Sequence, residues 1–117
     1  MSGYGSKAAV RDVIVATLVA EGRNPADYNV TGIARDAFTG AGGRYGYRAR
    51  SEADWRAAVT KHQRYEYLLQ GDYQVAGWED LSVYDRRRDA LVDLAAYREA
   101  EPHFCHRIVR RTTKGVT

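Results

Sequence analysis

The spacing of apolar residues changes near residue 64, and this change restricts the fold more than any other feature of the chain. Up to that point apolar residues recur at three and four; beyond it they alternate, with one further helical interval. Val10, Val13, Ile14, Thr17 and Leu18 repeat as i, i+3, i+4, i+7 and i+8, so a first helix is predicted from a Ser6 cap to Gly22, where Arg23, Asn24 and Pro25 forbid its continuation. Val30, Ile33, Ala34, Ala37 and Phe38 predict a shorter helix that opens at Asp27 or Asn29 and closes at Gly40. A third begins at the capping pattern Ser51 Glu52 Ala53 Asp54 and carries Trp55, Ala58, Val59 and His62 on its apolar edge.

From Tyr65 the pattern is that of a two-layer β-β-α-β unit. Tyr65, Tyr67 and Leu69 alternate along a strand expected to stop at the turn pair Gly71 Asp72, and a second strand runs from Trp78 to Leu81. Asp85 is the expected cap of a helix bearing Ala90, Leu91, Leu94, Ala95 and Tyr97, which Pro102 ends. In the last strand, His103 to Arg111, Phe104, His106, Ile108 and Arg110 fall on one side and Cys105, Arg107, Val109 and Arg111 on the other. The predicted class is α+β: an N-terminal three-helix segment, residues 1–63, packed on a C-terminal unit with a small antiparallel sheet, residues 64–117.

The run Tyr67 Leu68 Leu69 Gln70 Gly71 Asp72 Tyr73, then Gly77 Trp78 Glu79 Asp80 Leu81, Tyr97 Arg98 Glu99, Glu101 Pro102 and His106 Arg107 Ile108 Val109, resembles a small module of uncharacterised actinobacterial phage and plasmid proteins. That group has a threonine at the start of the module's helix, where this chain has Arg86, so Asp85 is left to cap. The resemblance implies a mobile-element origin and assigns no activity.

The chain has 117 residues, of which 44% are hydrophobic and two are proline, so it can bury a real core and lacks the composition of disorder. There is no apolar run long enough to span a bilayer, Met1 to Lys7 has no signal-peptide layout, and Cys105 is the single cysteine. These features predict a cytoplasmic protein of a bacterial host, not associated with a membrane. Net charge is +3, so any nucleic-acid surface must come from the distribution of arginines and not from their sum.

Three basic segments stand out. Gly40 to Arg50 interleaves Arg44, Arg48 and Arg50 with Tyr45 and Tyr47, without an acid, in a position that suits a wing or an inserted hairpin. Guanidinium groups neutralise phosphates and tyrosine faces stack on unpaired bases; the alternative is a solvated connecting loop. Arg86, Arg87 and Arg88 crowd a helix start, where cations oppose the helix dipole, so they form either an anion site or ion pairs with Asp89 and Asp93. Arg107, Arg110, Arg111 and Lys114 give the tail a basic stripe or a charge-guarded strand edge.

Other chemistry has less support. His103, Cys105 and His106 contain soft ligands, but strand alternation splits them and no fourth ligand lies at metal spacing, so no metal is expected and Cys105 is read as a buried structural thiol. No cofactor motif, triad or carboxylate pair stands at catalytic spacing, so a non-enzymatic protein is expected. The leading expectation is nucleic-acid binding through the Arg and Tyr surfaces; the second is a phage protein that binds and inhibits or redirects a host protein. Exposed strand edges also leave a homodimer open.

Overall fold

The computed structural model describes residues 4–40 and 46–113 and has four helices and two small antiparallel sheets, an α+β protein with its helices first. It divides into two compact units. The first comprises Met1–Glu21 and Pro25–Gln63, the second Gly22–Asn24 and Arg64–Thr117.

In the first unit, α1 (Lys7–Ala20) starts where the Ser6 hydroxyl accepts from the Ala9 amide at 3.1 Å and ends before Gly22, whose positive φ suits a helix exit. A single 3₁₀ turn, Pro25–Asp27, leads to α2 (Val30–Ala37), capped by Asn29, whose side-chain oxygen accepts from Gly32 at 3.2 Å. Strands β1 (Phe38–Gly40) and β2 (Tyr47–Ala49) pair antiparallel, and α3 (Glu52–Lys61) follows with Ser51 accepting from the Asp54 amide. Val10, Ile14 and Leu18 of α1 meet Val30, Ile33 and Ala37 of α2 and Ala58 and Val59 of α3 in one buried cluster. Each large aliphatic side chain taken from water there contributes about 1.5–3 kcal/mol.

Phe38 departs from the sequence expectation. Its spacing fits α2, yet its backbone is extended and it opens β1, with its ring edge-on to Tyr4 at 5.8 Å between centroids. A residue four beyond Ala34 lands on the apolar side whether the chain continues as helix or turns into a strand that crosses the same core.

The second unit is β3 (Tyr65–Asp72), β4 (Trp78–Tyr84), α4 (Arg87–Ala100) and β5 (Cys105–Thr112), with β3 central in the order β4-β3-β5 and both pairings antiparallel. β4 and β5 are therefore parallel, joined through α4 across the central strand. Tyr67 and Leu69 of β3 lie on the same side as His106 and Ile108 of β5, facing α4, with Ala90 and Leu94 of that helix buried.

Two boundaries also differ from expectation. Gly71 and Asp72 do not turn: both pair with β4 and β5, and a Cβ on Gly71 would lie 2.8 Å from the Tyr73 ring. The glycine permits a close approach of that ring, and the turn falls later, at Gln74 and Gly77, both with positive φ, where the Asp72 carboxylate accepts from the Gln74 amide at 2.9 Å. At the start of α4, Arg86 takes the cap position and makes no side-chain cap bond. β4 runs on to Tyr84, which leaves Asp85 one residue too early to cap.

Candidate nucleic-acid interface

In the first unit, the N-terminal half of α1, the outer side of α2 and the β1–β2 hairpin enclose a cleft of about 560 Å³. Val10, Val30, Ala34 and Phe38 make its apolar floor, Tyr47 and Gly40 close the hairpin side, and Lys7, Arg11 and Arg35 stand on its rim. Local sequence explains the rim. The Ser6 cap fixes the phase of α1 so that Lys7 and Arg11, four residues apart, share a side with Val10, and Arg35 follows Ala34 in the last turn of α2.

The hairpin is held by backbone. Tyr4 and Tyr47 exchange both amide-to-carbonyl bonds, at 2.8 and 2.7 Å, and Gly40 and Gly46 both have positive φ. A Cβ on Gly40 would lie 2.6 Å from the Gly46 carbonyl oxygen, so a side chain there would force the strands apart.

Among the described residues no acidic side chain lines the cleft, and the side chains of Lys7, Arg11 and Arg35 make no hydrogen bond or ion pair. Acids appear instead on the α3 side of Arg35, where Asp36 and Asp54 line a smaller hollow with Arg50 and Lys61. Asp36 is engaged: its Oδ2 lies 2.6 Å from His62 Nε2 and 3.2 Å from Lys61 Nζ. The His62 hydrogen bond, with Lys61 behind it, holds the Asp36 carboxyl below its ordinary value.

The basic residues singled out from sequence are distributed unevenly. Tyr47 lines the cleft, and Arg48 is exposed next to it on β2, opposite Thr39. Arg44 and Tyr45 lie outside the described residues, as does Lys114. Arg50 turns back on the scaffold, its Nε donating to the Phe38 carbonyl at 3.4 Å and its amide to Ala37 at 2.8 Å.

In the second unit, Arg87 and Arg88 line a cleft of about 650 Å³ with Arg23, Leu91, Val92 and Ala95, with the Arg88 guanidinium close against Gly22. Arg88 reaches Asp89 at 4.0 Å, while Asp93, the other expected partner, accepts from the Tyr84 hydroxyl instead. Arg107 and Arg111 share the sheet face away from α4, so they do not form one surface with Arg87 and Arg88. Both are also engaged: Arg111 Nε lies 2.8 Å from Glu66 Oε2, and Arg107 Nε donates to Gln70 Oε1 at 2.8 Å with its guanidinium 4.1 Å above the Trp78 ring. Arg110, on the opposite face, stacks on Tyr65 at 3.8 Å.

Alternation does separate Cys105 from His106, but not with the expected burial. Cys105 is exposed at the first residue of the strand, and the buried member is His106, enclosed by Tyr73 and Tyr97 with Nε2 2.8 Å from Glu101 Oε1. The same Glu101 oxygen accepts from the Tyr73 hydroxyl at 2.6 Å. Those two donors, Tyr73 first, hold the Glu101 carboxyl below its ordinary value, and the carboxylate in turn pushes the Tyr73 phenol up to about 12.

Lys7, Arg11 and Arg35 were not visible as a site in the sequence. The available signal was the pair of cations four apart beside a core residue, which becomes meaningful only once α2 is known to lie opposite. Compared with models of known families, with curated proteins and with solved structures, the chain finds no match.

Proposed function

We propose that this is a non-enzymatic accessory protein of a phage or other mobile element that binds nucleic acid through the α1–α2–hairpin surface of its first unit. One observation carries the reading: among the described residues, Lys7, Arg11 and Arg35 have no side-chain partner and stand around a cleft that no acid lines, with Tyr47 closing its hairpin side and Arg48 exposed at the next position of β2. Cations without acidic partners gain from displacing the counterions of a phosphate backbone, whereas Arg107 and Arg111 would first have to leave Gln70 and Glu66. The test is binding of nuclease-treated protein to single-stranded DNA, duplex DNA and RNA across a salt series. Affinity should fall steeply with salt, and joint replacement of Arg11, Arg35 and Arg48 by alanine should weaken binding and flatten the salt dependence. Absence of binding to all three at low salt refutes the reading.

A second reading, binding of a host protein, is favoured by the outer side of α4. Leu91 and Val92 are 40% and 63% exposed there beside Arg87 and Arg88, a mixed apolar and cationic strip suited to a partner that presents carboxylates around an apolar anchor. A host protein retained by the wild type and lost from Val92→Glu, with nucleic-acid affinity unchanged, would favour this reading over the first.

A further inference from the structure

We infer that the α1–α2–hairpin cleft takes a single unstacked nucleotide of a single strand, its base on the apolar floor and its flanking phosphates at Lys7, Arg11 and Arg35. The inference rests on the nucleic-acid reading and narrows it to one class of ligand.

The shape of the site argues for an extruded base. A cleft of about 560 Å³ falls within the range of preformed small-ligand sites. Its floor offers Val10, Val30, Ala34 and Phe38, and its wall the half-buried Tyr47. A duplex keeps its base faces stacked and presents only its backbone to such a surface, so it would leave the apolar floor uncovered. A single strand can give up one base to the floor at little cost, because that base is already unpaired.

Charge argues for the same occupant. The three cations belong to the rim and the apolar side chains to the floor, which matches a nucleotide with an apolar, stackable base and an anionic backbone passing on either side. Arg48 follows Tyr47 on β2 and, by strand alternation, faces away from the cleft, so the cationic rim consists of Lys7, Arg11 and Arg35. An acidic peptide would satisfy the cations equally well but gains nothing specific from an aromatic wall. The wall is also positioned before binding: the double backbone bridge between Tyr4 and Tyr47 ties the hairpin to the segment before α1, and the Arg50 amide, donating to the Ala37 carbonyl at 2.8 Å, ties it to the end of α2.

The experiment uses the full chain and fluorescence anisotropy with a labelled mixed-sequence 20-nucleotide DNA strand, the same strand annealed to its complement, free dAMP and poly-glutamate as competitors, and the variant Ala34→Leu. Ala34 is half-buried on the cleft side of α2 and packs against the core cluster from outside it, so leucine fills the floor, and circular dichroism with urea denaturation verifies that the fold is kept. The expected result is at least tenfold tighter binding of the single strand than of the duplex, a loss of that preference in Ala34→Leu, and no competition by poly-glutamate at equal charge. Triple replacement of Lys7, Arg11 and Arg35 by alanine should lower the magnitude of the single-strand salt slope by about 1.4, from ~0.7 for each of the two flanking phosphates. Equal or tighter binding of duplex, or full retention of single-strand affinity in Ala34→Leu, overturns the inference while nucleic-acid binding stands. Competition by dAMP as effective per nucleotide as by the strand overturns it in favour of a free nucleotide, and competition by poly-glutamate overturns it in favour of an acidic protein segment. Failure to bind either DNA at low salt removes the nucleic-acid reading and this inference together.

Discussion

Replacing Gly32 by alanine sets helix propensity against packing, and the geometry decides between them. Gly32 lies in the first turn of α2, where alanine would ordinarily stabilise the protein by up to about 1 kcal/mol. Here a Cβ would lie 2.4 Å from both Cε1 and Nδ1 of His62 and 2.9 Å from Nδ2 of the capping Asn29. Reaching ordinary contact requires the imidazole to move by about an ångström, as core overpacking does at a typical cost of about 1–3 kcal/mol. The ring has little freedom, because its backbone is held by bonds to Ala58 and Asn29, each at 2.9 Å, and its Nε2 lies 2.6 Å from Asp36 Oδ2. Disturbing the Asn29 cap costs about 1 kcal/mol more. Gly32→Ala should therefore lower unfolding stability by about 1–3 kcal/mol in urea denaturation followed by circular dichroism, with the slope unchanged.

The same variant has a pH signature. Asp36 is held below its ordinary value chiefly by His62, so its contribution is present above the ordinary carboxylate range and is lost as pH falls through the depressed value. Displacing His62 removes that contribution, so the gap between wild type and variant should be full near neutrality and shrink below about pH 4. Equal or greater stability of Gly32→Ala at neutral pH would refute the packing argument.

Other consequences are separable. Leu69 is fully buried on the central strand, so Leu69→Ala should cost about 2–5 kcal/mol, whereas Val83→Ala, at a site 47% exposed on an edge strand, should cost less than about 1 kcal/mol in the same assay. The Tyr73 phenol is pushed up to about 12, so the Tyr73–Glu101 bond stabilises the fold fully below about pH 10 and is lost as pH rises through about 12. Burial and Asp93 also push the Tyr84 phenol up, so ultraviolet titration should show two late-ionising tyrosines, one of which is lost in Tyr73→Phe. Arg86 sits at the cap of α4 without a capping bond, so Arg86→Ser should raise stability by about 1 kcal/mol in chemical denaturation. No gain there would mean that the arginine is held by contacts the cap argument ignores.

Much of the fold could be read from the chain. The caps Ser6 and Ser51, the exit at Gly22 and the alternation along β5 are local signals, each set by neighbours within four residues. The misreadings have local causes as well. Phe38 suits the phase of α2 and also the first step of β1, and Gly71 looks like a turn because a glycine required by an overlying tyrosine is indistinguishable in sequence from one required by a turn. The sequence suggests a buried Cys105 because alternation says which residues share a face without saying which face is covered, and the structure leaves it exposed.

The site was less legible. The hairpin with Tyr47 and Arg48 was singled out, but its partners Lys7, Arg11 and Arg35 were not, and the β5 arginines seemed as available as any others. Arg111 is taken up by Glu66, 45 positions away, and Arg107 by Gln70, 37 positions away.

The sequence by itself determined the α+β class, the order of the elements and the apolar side of each, because these follow from spacing within a few residues. Only the tertiary structure decided which cations are taken up by distant partners and which enclose a cleft. Both depend on side chains brought together by strand register and helix packing between distant segments, and no local pattern carries that information.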